Sequence, residues 1–260
     1  MEEKIHIVNR EQQDIVGLLR THESQKGCAI VQHGLGGTKD EAHIKATADT
    51  FFEAGYTTVR FDATNTFGES DGTYELATMT KHCADLEDVV AWAQRQSWWG
   101  GRKVLSGHSL GGYAVLRYAA NHPGSVDAIV PLSPVVSGEL SFRAHDAYDP
   151  AYILKWKETG WREDRSVSHP ERLRRLPWSH MEDRLTHDIL PDAHHITIPV
   201  CIIVGDTDRV TPPVHMELLV HALSHTRVEY TVIPECSHVF RSEAQIAALR
   251  AALSSFLLSI

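Results

Sequence analysis

Ser109 lies in Gly107-His108-Ser109-Leu110-Gly111, between an apolar strand-like run and an apolar helix-like run. A serine hydroxyl is a weak nucleophile until a base takes its proton and a sharp strand-to-helix turn pushes it into the open. In such a turn the strand end and the helix start approach closely, and glycines two positions either side leave room for that approach. Candidate partners follow downstream. An apolar run over 200–204 leads into Gly205, Asp206, Thr207 and Asp208, and a second run over 228–233 leads into Ser237 and His238. An acid and a base therefore each follow the C-terminal end of a strand, the edge where open α/β sheets bind ligands. The order nucleophile, acid, histidine suits acyl transfer. Ser109 would attack a carbonyl, His238 would carry the proton, and Asp206 or Asp208 would orient the imidazole. Upstream, an apolar run over 28–31 opens into Gln32-His33-Gly34-Leu35-Gly36-Gly37. The N–H groups of Leu35 and Leu110 are the candidate donors for a tetrahedral oxyanion, with Leu110 also opening the helix whose dipole favours that charge.

These residues sit in segments that resemble the α/β-hydrolase superfamily over essentially the full length. Within it the chain is similar to bacterial feruloyl/cinnamoyl esterases and to serine-aminopeptidase-like hydrolases. The carrying segments are His33-Gly34, Val59-Arg60-Phe61-Asp62, Gly68-Glu69-Ser70-Asp71-Gly72, Gly107 to Gly111, Gly205-Asp206-Thr207-Asp208 and Ser237-His238. The resemblance implies an α/β-hydrolase fold, a mostly parallel eight-stranded sheet flanked by helices, with a cap insertion. It also selects Asp208, since the family's acid is usually the third residue after the glycine that ends its strand. Asp206 is then expected to hold the turn. One departure is visible. Relatives usually carry Gly-His-Gly ahead of the Asp-Ser-Asp-Gly-like turn, and here the chain reads Asn65-Thr66-Phe67-Gly68, which bears on one pocket wall.

The elements that must position these residues alternate along the chain. Strands are expected over 4–8, 15–20, 28–32, 57–61, 102–106, 128–132, 200–204 and 227–233, the first two as an antiparallel pair. Helices are expected over 39–54, 76–96, 109–121, 212–223 and 242–259. This alternation predicts a mostly parallel sheet covered on both faces. The rhythm breaks over 135–197, which separates a core of 1–134 and 198–260 from a cap with little strand signal. The cap holds Phe142, Tyr148, Tyr152, Trp156, Trp161 and Trp178, some as anchors and some as pocket wall. Its basic cluster of Arg162, Arg165, Arg172, Arg174 and Arg175 reads as a solvated helical face. His33 is expected to brace the oxyanion loop, His108 to pack beside the site without moving protons, and Asp71 to form a turn. His194 and His195 lie near Asp192, but adjacent histidines share neither a helix nor a strand face, so no metal is expected.

Composition bounds the partners. The chain has 260 residues, 42% hydrophobic and 23% charged, which suits one α/β domain with a large core. A net charge of −9 argues against nucleic acid and anionic membrane surfaces. Cys28, Cys83, Cys201 and Cys236 are scattered, no run reaches membrane-span length, and the N-terminal residues lack a signal-peptide pattern, so a cytoplasmic location is expected. The expected partner is a small-molecule ester, without cofactor or metal, in a chain free to act alone or as a homodimer. Aromatic walls with only scattered Leu, Ile and Val favour short-chain or hydroxycinnamoyl esters over long fatty acyl chains. Thioester, lactone, peptide or C–C cleavage and perhydrolysis stay open on the same residues, as does a non-catalytic binding role.

Overall fold

In the computed structural model, residues 2–24, 26–165, 171 and 173–260 are described. Strands buried along their whole length need a layer on each side. Gly27–Gln32 (β3), Tyr56–Phe61 (β4), Ala128–Leu132 (β6) and Val200–Gly205 (β9) are all of this kind. With Glu3–Val8 (β1), Asp14–Arg20 (β2), Arg102–His108 (β5) and Val228–Ile233 (β10) they form one eight-stranded sheet. Its order is β1-β2-β4-β3-β5-β6-β9-β10. The β1–β2 and β2–β4 pairs are antiparallel and every other pair is parallel.

The two-residue period of the strands sorts their side chains between two cores. Cys28, Ile30, Val200, Ile202 and Val204 join Met79–Ala93 (α2), Leu110–Asn121 (α3) and Pro213–Ala222 (α7) on one face. Ala29, Val31, Cys201 and Ile203 join Ala42–Glu53 (α1) and Glu243–Ser259 (α8) on the other. Leu249, Leu253 and Phe256 of α8 are buried there, as their spacing predicts. Ser242 and Gln245 close a reciprocal capping box at its start.

Two helices begin later than the periodicity suggests. Lys39 is drawn out of the first turn of α1 because its backbone N–H and its ammonium both bond Asp62, each at 2.7 Å, and the ammonium also reaches Glu69. Tyr74–Leu76 forms a separate 3-10 turn, after which Thr78 caps α2 by accepting from Lys81 N–H. Asp71 does more than turn the chain. Its carboxylate accepts from Asp14 N–H at 2.8 Å, tying the turn to β2.

Between β6 and β9 the chain leaves the sheet. It forms Gly138–Tyr148 (α4), Pro150–Thr159 (α5), a hairpin of Trp161–Arg165 (β7) and Leu173–Pro177 (β8), Ser179–Leu185 (α6) and a 3-10 stretch Leu190–His195. The hairpin corrects two expectations: this stretch does contain strands, and the arginines are not on a helix. Arg162 and Arg165 lie on β7, Arg174 and Arg175 on β8, and Arg172 falls outside the described residues. Charges on both faces hide the apolar alternation that marks a strand. The pairing instead sets Glu163 opposite Arg175 and Asp164 opposite Arg174. Both pairs are in ionic contact across the ladder. Among the described residues, no helix is long and apolar enough to cross a membrane.

Candidate active site

The turn from β5 into α3 holds Ser109 at φ +56°, ψ −111°, outside the regions ordinary residues prefer. The strand end and the helix start are so close that a Cβ at Gly107 would stand 2.2 Å from Gly111 O. A Cβ at Gly111 would stand 2.6 Å from both Gln32 O and His33 O, at the end of β3. Glycine is therefore required at both positions.

β9 and β10 end beside this turn. His238 Nε2 lies 2.9 Å from Ser109 Oγ, and His238 Nδ1 lies 2.8 Å from Asp208 Oδ2. With an ionised carboxylate as acceptor, Nδ1 carries the proton and the Nε2 lone pair faces the serine hydroxyl. Asp208 is 3% exposed. Its other oxygen accepts from Val210 N–H at 2.8 Å and Thr211 N–H at 2.9 Å. Burial works to raise this carboxyl. The hydrogen bond and charge of His238, with the N–H and hydroxyl of Thr211, outweigh it and hold Asp208 below the usual carboxylate range. Asp206 is exposed and accepts from Cys236 N–H at 3.1 Å, so it holds the turn and does not meet His238 in these contacts.

Three residues that the sequence reading passed over or left idle complete the setting. The Thr211 hydroxyl lies 2.9 Å from Asp208 Oδ2, 3.0 Å from Ser133 O and 3.2 Å from His238 Nδ1, knitting together the loops after β6, β9 and β10. Its three-residue spacing from an aspartate is a turn signal that could have flagged it. His108 donates Nε2–H to the backbone carbonyl of His238 at 2.8 Å, and their rings lie 4.9 Å apart. Burial pushes His108 well below the ordinary histidine value, so it stays neutral and buttresses the loop that carries His238. His82 of α2 donates Nε2–H to His33 O at 2.8 Å.

The loop after β3 carries the oxyanion candidates. His33 braces it from within. Its Nδ1 bonds Gly34 O at 2.7 Å, and its Nε2 accepts from Ala63 N–H at 3.0 Å. Burial keeps that imidazole neutral. A Cβ on Gly34 would come within 2.9 Å of Ser109 Cβ, so the loop carrying Leu35 runs against the serine. Leu110 is the first residue of α3, where an N–H has no partner inside the helix. Next to this loop, Phe67 stacks on Tyr74 with ring centroids 4.7 Å apart, in the stretch where the sequence departs from the pattern of the family it resembles. Among the described residues, no group of three or more His, Cys, Asp or Glu is placed to hold a metal ion.

The chain has relatives among known proteins. The family model of the X-Pro dipeptidyl-peptidases (S15 family) matches residues 18–197, and that of the serine aminopeptidases (S33) matches 163–245. An uncharacterized 31.7 kDa protein of Escherichia coli is 25% identical over 237 residues, 80% of this chain and 82% of that one. The mitochondrial palmitoyl-protein thioesterase ABHD10 of Mus musculus is 26% identical over 178 residues, 65% of this chain and 55% of that one. Among solved structures, ferulic acid-bound Est1E from Butyrivibrio proteoclasticus superposes with a TM-score of 0.80 at 23% identity, covering 98% of each chain.

Proposed function

The chain belongs to the X-Pro dipeptidyl-peptidase (S15) family, and from that premise we propose that it is a serine hydrolase of carboxylic esters, acting through Ser109, His238 and Asp208. The observation that carries this reading is the pair of contacts, 2.9 and 2.8 Å, linking a serine on a strained turn through an imidazole to a buried carboxylate. Ser109 Oγ attacks the ester carbonyl and gives its proton to His238 Nε2. Asp208 stabilises the imidazolium and fixes its tautomer. The N–H groups of Leu35 and Leu110 take the tetrahedral oxyanion. His238 then protonates the leaving alcohol, and water, activated by the same imidazole, releases the acid from Ser109. The proton taken from Ser109 leaves with the alcohol, and the proton taken from water passes through His238 back to Ser109.

Short-chain and hydroxycinnamoyl acyl groups fit the aromatic residues of 138–195 better than a long aliphatic chain does. The family's own peptidase chemistry is the second reading, favoured by the match over residues 18–197. A panel separates them: 4-nitrophenyl butyrate, methyl ferulate, 4-nitrophenyl palmitate and Ala-Pro-4-nitroanilide. We expect turnover of the first two, lost to near background in Ser109→Ala with the fold intact by circular dichroism. Activity of Ser109→Ala above a few per cent of wild type would remove Ser109 from the mechanism. Anilide turnover exceeding ester turnover would make the protein a peptidase.

A further inference from the structure

Arg184, on α6, is 5% exposed, and among the described residues no carboxylate lies within salt-bridge distance of its guanidinium. Nη1 donates to Ser141 Oγ at 3.0 Å. Nη2 donates to His180 Nε2 at 3.1 Å, which is free to accept because His180 Nδ1 is 2.8 Å from Ala77 O. Nε is buried without a hydrogen-bond partner. The adjacent acid is spent elsewhere, since Asp183 accepts from Met79 N–H, Thr80 N–H and the Thr80 hydroxyl. Arg60 and Arg117, by contrast, each meet a carboxylate. Burial, with the nearby charge of Arg162, pulls Arg184 down to about 10, which still leaves it protonated at neutral pH. A buried cation with an idle donor is costly unless something anionic joins it.

Two lines lead from this cation towards the reacting centre, through hydrogen bonds and packing at some steps and through charge alone at others. Along α4, Ser141 stands one helical turn before His145. At the end of that helix the ring of Tyr148 lies 5.3 Å from the guanidinium carbon of Arg209, the residue after Asp208. His145 lies between: burial, Arg184 and Arg162 push it down to about 3, and the charges of His238 and Asp208 reach it as well. On the opposite side, Tyr74 packs against Gly36, next to Leu35, and its hydroxyl feels the charge of Arg184. Arg184 therefore bonds α4 directly and lies within electrostatic reach of Tyr74, the side chain packed against the oxyanion loop.

We propose that Arg184 is the counter-charge for a carboxylate carried by the substrate, at the end of the acyl group remote from the scissile carbonyl. This rests on the ester-hydrolase reading and narrows it to esters of acids that bear a second, ionised carboxyl. The carboxylate accepts from Nε and from an Nη in the two-pronged pairing that guanidinium favours. A neutral acyl chain of equal length leaves the cation unpaired.

The test compares kcat/KM for mono-4-nitrophenyl adipate with 4-nitrophenyl hexanoate, and for mono-4-nitrophenyl suberate with 4-nitrophenyl octanoate. Leaving group and chain length are the same within each pair. Wild type is expected to prefer the carboxylated ester by about tenfold or more in at least one pair. In Arg184→Gln that ratio should fall towards one, through KM of the carboxylated ester, and Arg184→Lys should keep part of it. A wild-type ratio at or below one in both pairs overturns the proposal, and that measurement needs no variant to fold. An undiminished ratio in Arg184→Gln also overturns it. Thermal melting of wild type with free adipate or suberate separates the two readings. If no ester is cleaved but either diacid raises Tm more than its monoacid counterpart, the anion site stands and the ester reading fails. If neither ester turnover nor stabilisation is seen, both fail.

Discussion

With Asp208 replaced by asparagine, His238 Nδ1 would face an amide, and the imidazole would lose the partner that fixes its proton on that nitrogen. A loss of about 10⁴ in kcat is expected for Asp208→Asn, and far less for Asp206→Asn, whose carboxylate meets a turn N–H. Steady-state kinetics on 4-nitrophenyl butyrate decide between them, and a reversal would move the acid role to Asp206. Thr211→Val should lower kcat by about tenfold with little change in KM, because its hydroxyl steadies the acid and the base and faces no substrate. At this scale the chain was readable where chemistry dictates spacing. Ser109, an acid at Asp206 or Asp208, and His238 follow strand ends in a fixed order, the resemblance chose Asp208 between the two acids, and the glycines beside Ser109 have no alternative. Thr211 and Arg184 were not readable. A threonine in a loop and an arginine on a charged helix look solvated until tertiary packing buries them.

Elements show the same division. Apolar periodicity located all eight strands of the main sheet and five of its flanking helices to within a few residues, because a packed face imposes a period. The β7–β8 hairpin was missed because opposed charges, not apolar alternation, hold its strands together. α1 starts late because Asp62 captures Lys39, an attraction across the sheet that no local pattern encodes. A buried carboxylate on α2 gives a pH test of how elements are joined. Asp85 accepts from Thr64 N–H at 2.7 Å, the Thr64 hydroxyl at 2.8 Å and Asn9 Nδ2 at 3.2 Å, pinning two loops to the helix. Burial raises its carboxyl to about 6, against the hydrogen bonds that lower it. The folded protein therefore holds this proton more tightly than the unfolded chain does. That contribution is full below about pH 4 and is lost as pH rises through about 6, at most about 3 kcal/mol. Urea unfolding of wild type and Asp85→Asn across that range should show wild type losing ground with rising pH. A difference that is flat, or that grows with pH, would mean Asp85 is not held as described.

The whole molecule was legible as a class and not as a wiring diagram. Alternating strands and helices imply a covered parallel sheet, but the exchange of β3 and β4 in the order β1-β2-β4-β3 depends on long-range pairing. Substrate length is a property of this scale, because the segment between β6 and β9 leaves and rejoins the sheet beside Ser109. With aromatic rings in place of an aliphatic trough, kcat/KM for a series of unbranched 4-nitrophenyl esters should peak at short acyl chains and decline towards palmitate. A maximum at palmitate would require a channel these residues do not suggest. One further consequence comes from where that segment is attached. It departs from β6 and returns to β9, and these two strands are neighbours in the sheet. Just past β6, Val135 N–H is bonded to the carbonyl of Ser109 itself, and the Ser137–Asp188 bridge joins the outgoing and returning chain. The segment thus enters and leaves through one doorway beside Ser109, while Asp183, bonded to the start of α2, and Asp192, bonded to Arg117 of α3, brace it from behind, so loosening either brace would reach the doorway without altering Ser109, Asp208 or His238.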